Sequence, residues 1–138
     1  MKIYVLSAFL LFAGNQLAIA DVRPPVKEFY KLPLNGNYGN DSGCNAIADK
    51  EPVSDDMQYL SSEEFNRWET NCRFVAAYEL SGEDNERAWT VITACSVEGD
   101  TYSELISVKE WKDFASGDLR VTVTSNRDEL PVELTQCK

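Results

Sequence analysis

The chain has 138 residues, with 23 acidic against 13 basic, no histidine and four cysteines, for a formal charge of −10. That excess of negative charge argues against nucleic acid and anionic membrane surfaces as partners, because both would repel it. The lack of histidine excludes triads and dyads built on an imidazole.

Met1 to Ala20 reads as a signal peptide. Lys2 gives a positive start, Ile3 to Gly14 an apolar core, and Ala18-Ile19-Ala20 a small-x-small cleavage pattern. The segment's only charge is Lys2, so residues 21–138 carry −11 in place of −10. That remainder is long enough for one domain and too short for two. With no later apolar run, no membrane insertion is expected after cleavage. Residues 21–33 hold Pro24, Pro25 and Pro33 without periodicity and read as an extended leader, so a single domain is expected over 34–138.

Leu34, Gly36 and Tyr38 alternate as a first strand would. Gly39-Asn-Asp-Ser-Gly43 reads as a turn before Cys44. Residues 45–56 read as loop, and Met57 to Leu60 as a short strand. Ser61-x-x-Glu64 matches a capping box, which predicts one short helix with Phe65 and Trp68 as its buried stripe.

Cys72 to Leu80 and Arg87 to Cys95 are two runs rich in aromatic and β-branched residues. They flank a polar, glycine-containing turn, the signature of a β-hairpin. Centred on that turn, Cys72 faces Cys95, Ala76 faces Val91 and Tyr78 faces Trp89. Phe74, Ala76 and Tyr78 then share an inward face with Trp89 and Val91. The register favours a Cys72–Cys95 disulfide and leaves Cys44 for Cys137. The rival is sequential pairing, Cys44 with Cys72 and Cys95 with Cys137. An even cysteine count in a small exported chain reads as a disulfide framework, and no paired Cys-x-x-Cys spacing exists to suggest zinc.

Ser96 to Asp100 is a second turn. Beyond it Tyr102, Ile106 and Val108 alternate with Ser103, Ser107 and Lys109. Leu119 to Thr124 is the cleanest strand, with Val121 and Val123 inward, and Val132 to Cys137 closes the domain. Turn-linked strands at short spacing predict an all-β fold. It is a small antiparallel meander or barrel with one short helix and two disulfides.

Chemistry is sparse. No phosphate-binding loop or nucleophile elbow is present, and no cofactor is implied. Asp55, Asp56, Glu63 and Glu64 are the densest acids before the hairpin, the only hint of a carboxylate hydrolase. Asn40-Asp41 and Glu83 to Glu86 lack calcium-loop spacing, so no metal ligands are assigned. Asn40-Asp41-Ser42 is a formal glycosylation sequon. Trp111 and Phe114 form an aromatic pair in a charged loop beside Glu110 and Asp113. That is a partner-binding pattern, with the aromatics as anchors and the two acids on the rim.

The pattern Leu34-x-Gly36-x-Tyr38, Cys44, Glu69-x-x-Cys72-x-Phe74, Trp89-x-Val91, Cys95-x-x-Glu98-Gly99, Leu119-x-Val121, Cys137 resembles the small four-cysteine periplasmic proteins of Gram-negative bacteria. Most members of that group carry no assigned activity. The resemblance therefore implies a stapled β domain and a compartment, but no catalytic residue. In architecture the chain is also similar to periplasmic lysozyme inhibitors and barrel-shaped metalloprotease inhibitors. The Ser-Gly-x-x-Tyr loop of the former is absent, since no tyrosine follows Ser81-Gly82 at the matching place. The expected function is an exported, periplasmic or secreted, non-enzymatic binding or inhibitory module whose charge suits a basic protein. The alternatives are a small-ligand carrier using the barrel interior and a carboxylate-based hydrolase.

Overall fold

Eight antiparallel strands close into a barrel in the computed structural model, which describes residues 31–80 and 85–138 and the backbone of Glu28 and Phe29. The strands are β1 (Glu28–Phe29), β2 (Tyr38–Gly39), β3 (Gln58–Leu60), β4 (Glu64–Arg67), β5 (Thr70–Leu80), β6 (Glu86–Val97), β7 (Asp100–Lys112), β8 (Leu119–Ser125) and β9 (Val132–Gln136). From β2 onward each strand pairs with its successor, and β9 returns to β2, so the ring is an up-and-down meander. β1 pairs with the far end of β5, beyond the stretch that β4 covers, with Glu28 opposite Tyr78. The close of the expected leader thus belongs to the fold, and Leu32 is buried in the core. The expected signal peptide lies outside the described residues.

Up-and-down order sorts the connections into two ends. Those joining β2–β3, β4–β5, β6–β7 and β8–β9 lie at one end, called here the α1 end because it carries the helix. The turns β3–β4 and β7–β8 lie at the other, the Phe114 end.

The helix is α1 (Asp41–Ile47), not the expected one over Ser61 to Trp68. Asn40 caps it by accepting from the Gly43 amide at 2.7 Å, and Asp41 sits in the favourable first turn. Asn40 also accepts from Gln58 N and donates to Asp56 O, so the side chain of the sequon asparagine is engaged in holding α1 to β3. Gly43 is obligatory because a Cβ there would lie 1.9 Å from the Gln58 carbonyl oxygen. At the expected helix, Ser61 Oγ does accept from Glu63 N and Glu64 N, at 3.3 and 3.2 Å. Those bonds close the β3–β4 hairpin instead. A serine-led turn is local and fits any reversal of the chain, whereas pairing of buried Leu60 with buried Phe65 decides for strands. Trp68, expected in the core, sits in the two-residue β4–β5 turn and is 44 % exposed. Gly36, expected within a strand, has a φ of +130°, so the ladder starts only at Tyr38.

The long hairpin pairs Cys72 with Cys95 as expected, and the two disulfides are Cys72–Cys95 and Cys44–Cys137. Beyond Phe74 the register shifts at a bulge on Val75, so Ala77, not Ala76, faces Val91 and Glu79, not Tyr78, faces Trp89. The extra residue reverses parity for the rest of β5. Ala77 is therefore fully buried while Tyr78 is only partly so. Across the barrel Trp89, Val91, Ile106, Val108, Val121, Val123 and Leu134 pack the interior with Tyr38, Leu60 and Phe65.

Candidate functional site

β7 carries the polar interior of the barrel. Its inward positions run Glu104, Ile106, Val108 and Glu110, and all four are buried. Isolated carboxylates could not remain charged there, and each is instead matched by an arginine from another strand.

Near the Phe114 end, Glu110 Oε1 accepts from Tyr38 OH at 2.6 Å and from the Asn35 amide at 3.0 Å. Its Oε2 accepts from Arg87 Nε at 2.9 Å and also from Arg87 Nη2, so two donors of one guanidinium converge on a single oxygen. The Arg87 guanidinium also lies over the Trp89 ring, 5.3 Å from its centre. Burial of Tyr38, followed by its bond to Glu110 and that group's charge, pushes the phenol well above its ordinary value.

Near the α1 end the same device recurs. Arg67 Nη2 lies 2.8 Å from Glu104 Oε2, with its guanidinium 5.4 Å over the Phe65 ring. Ser125 Oγ donates to Glu104 Oε1. Glu104 Oε2 also sits 3.4 and 3.7 Å from the sulfurs of Cys95 and Cys72. Because those sulfurs are joined to each other, the trio is not a metal centre in this oxidation state. Arg67 continues outward to Asp128 of the β8–β9 turn at 2.7 Å.

The two carboxylates cannot act as an acid–base pair. Six residues of strand separate them by roughly 20 Å, beyond the about 5–9.5 Å that glycoside hydrolysis uses. The four acids weighed in sequence are also dispersed. Asp55 and Asp56 lie in the α1-end connection, Glu63 lies in the β3–β4 turn at the other end, and Glu64 accepts from Tyr59 OH and Asn71 Nδ2.

The expected partner-binding residues separate into three roles. Phe114 is 95 % exposed at the tip of the β7–β8 turn. That turn is well held: Gly117 N donates to Asp113 O at 2.7 Å, Asp113 N to Asp118 O at 2.9 Å, and Ala115 N to Asp113 Oδ1 at 2.8 Å. The amide of Ala115, foremost, holds the Asp113 carboxyl below its usual range. Asp113 thus shapes the turn and pairs with Arg120 at 3.2 Å. Trp111 is half-buried, donates from Nε1 to Thr122 Oγ1 at 3.0 Å and carries Arg120 over its ring, so it buttresses the turn from beneath. Glu110 is not on the rim as expected, because its parity on β7 turns it inward to Arg87 and Tyr38. A cleft of about 220 Å³ between Arg87, Trp111 and Leu119 opens beside the turn.

The buried glutamates and their arginines escaped the sequence reading, yet a signal exists. Counting by twos outward from Ile106 and Val108 lands on Glu104 and Glu110.

The fold and its plugs define a class: an eight-stranded, disulfide-stapled meander barrel with a filled interior and both ends closed by arginine–glutamate pairs. No family, no curated protein and no solved structure matches the chain. The two disulfides point to an oxidising compartment outside the cytosol, and among the described residues no helix is long and apolar enough to cross a membrane.

Proposed function

We propose that the chain is an exported, non-enzymatic binding or inhibitory module that presents the β7–β8 turn to a protein partner. The observation that carries this reading is Phe114, a large apolar ring almost wholly in water on a turn that hydrogen bonds hold in one shape. A preorganised turn loses little entropy on docking, and an exposed aromatic is the usual centre of a hot spot. Trp111 and Asp113 serve as its support. The excess negative charge favours a basic partner. Export to the periplasm or beyond, with residues 1–20 as the signal, accords with the stapled framework.

Small-ligand carriage is the weaker reading, since aromatic and branched side chains fill the interior and an ion pair sits at each mouth. Hydrolysis is weaker still, given the distance between the inward carboxylates.

The test is binding kinetics against a panel of basic and acidic secreted proteins at low and high salt, with wild type and Phe114→Ala. Phe114 buries little in the free protein, so the variant should fold normally. The expected result is association with a basic member that slows in salt, and dissociation about thirtyfold faster for the variant. Binding that ignores Phe114, or no binding to any basic member, would overturn the reading.

A further inference from the structure

The connections at the α1 end hold nine exposed acids: Asp41, Asp49, Glu51, Asp55, Asp56, Glu69, Glu98, Asp128 and Glu129. Only Lys50 and Arg127 oppose them. At the Phe114 end the described connections hold three acids, Glu63, Asp113 and Asp118, opposed by Lys31 of the segment before β2, with the acids of residues 81–84 outside the described part. The charge is therefore polarised along the barrel axis. Acids alone would mean only solubility, but this end also carries an apolar feature. Trp68 stands at the edge of a cleft of about 500 Å³ floored by Thr70, Val97 and Tyr102. A second cleft, of about 450 Å³, adjoins it across the Thr70–Val97 pair and is edged by Glu69 and Glu98.

Trp68 differs from the other tryptophans in one physical respect. Arg87 lies over Trp89 and Arg120 over Trp111, and even Phe65 and Tyr102 carry Arg67 and Arg127. Among the described residues no cation lies over Trp68, although it is the most exposed of the three. Its surroundings are those that a cation would choose, with Glu69 adjacent and Asp128 lining the same cleft. Glu98 lines the adjoining cleft together with Glu69 and Met57, whose carbonyl accepts from Trp68 N at 3.0 Å. Of the two arginines in the Trp68 cleft, Arg67 is matched by Glu104 and Asp128, and Arg127 lies over the Tyr102 ring.

We propose that the α1 end is a docking surface for a cationic polypeptide segment, with Trp68 receiving a lysine or arginine side chain on its open face and the surrounding carboxylates matching the segment's charge. The proposal rests on the reading of the chain as a binding module, and it supplies the chemistry of the partner and a second contact face. The partner's cation repeats from outside the arrangement that the chain makes internally at four other rings.

The test uses the full chain with short oligolysine and oligoarginine as probes and oligoglutamate as control, read by tryptophan fluorescence and calorimetric titration. Saturable binding of both cationic probes and none of the control is expected. Trp68→Leu should weaken binding about tenfold, with Trp68→Phe in between. The triple variant Glu69→Gln, Glu98→Gln, Glu129→Gln should weaken it and flatten its salt dependence, whereas Glu63→Gln, Glu79→Gln, Glu86→Gln, at the other end, should not. Wild-type affinity in Trp68→Leu, equal weakening by the two triple variants, or no saturable binding would each overturn the proposal. Phe114→Ala should bind the probes as wild type does. Loss of probe binding in the Trp68 variant and loss of protein binding in the Phe114 variant are thus separate outcomes, and each reading can fail without the other.

Discussion

Glu104 and Glu110 point into the barrel from one face of β7, one near each end, and each is paired with an arginine that lies across an inward aromatic ring. The pairing seals a filled interior at both mouths. It also places two charges where neither could remain alone.

Removing one member of such a pair should therefore cost more than removing both. Arg67→Ala or Glu104→Ala should each destabilise by about 3–5 kcal/mol, because an uncompensated buried charge or an unmatched network is left behind. Arg67→Met with Glu104→Leu should lose much less. Urea denaturation of the singles and the double closes the cycle, and additive losses would show that the two groups do not interact.

Alkaline pH offers a second check. The neutral phenol of Tyr38 is favoured in the folded state because burial, and then Glu110, raise its proton affinity. In the unfolded chain the phenol ionises near its ordinary value of about 10. The stabilisation is thus complete below that pH and is lost as pH rises beyond it, since the unfolded state alone releases the proton. Stability measured from pH 8 to pH 12 should fall more steeply for wild type than for Tyr38→Phe, and parallel curves would contradict the assignment.

Trp89 is fully buried, with no hydrogen-bond partner for its indole N–H among the described residues. That unsatisfied donor costs about 1–3 kcal/mol, less than the packing of the ring supplies. Trp89→Ala should destabilise by about 3–5 kcal/mol. Thermal unfolding at the wild-type midpoint would show that the interior collapses around the gap.

The disulfides should differ in weight. Cys44–Cys137 spans 93 residues and Cys72–Cys95 spans 23. Chain entropy assigns about 4–5 kcal/mol to the longer closure and about 3 kcal/mol to the shorter. Paired Cys→Ser variants compared by urea midpoint should keep that order. A larger loss from Cys72–Cys95 would mean that packing beside Glu104, rather than loop closure, sets its value.

Much of this fold is legible in the residues, and the misses share a cause. The Cys72–Cys95 register, the alternation of Val121 and Val123 and the burial of Trp89 follow from period-two patterning, a local property, whereas Phe65 is buried as expected but on a strand rather than a helix. Three features do not. The Val75 bulge is one residue in a run of uniformly strand-forming side chains, with nothing at Phe74-Val-Ala-Ala to mark it. The Ser61 capping signature makes its hydrogen bonds as expected, but the pairing of Leu60 with Phe65 decides what they terminate. Glu104 and Glu110 stand at inward parity with Ile106 and Val108, but nothing local shows that Arg67 and Arg87 arrive from other strands to match them. Of the candidate site, Phe114 was readable from its turn, whereas the open face of Trp68 depends on which rings the arginines already occupy.

The ring closes through its shortest member. β2 contributes only Tyr38 and Gly39, two residue pairs to β3 and two to β9, while its neighbours around the barrel are joined over longer ladders. Cys44 and Cys137 lie just beyond that joint on either side, so their bridge works as the latch on a clasp. With the latch cut, the first opening of the barrel would run between β9 and β3 and uncover two strand edges that the closed ring hides. Exposed edges are templates for pairing between chains. Reducing that one cysteine pair would thus cost stability and leave the edges of β3 and β9 free to pair with copies of the same chain.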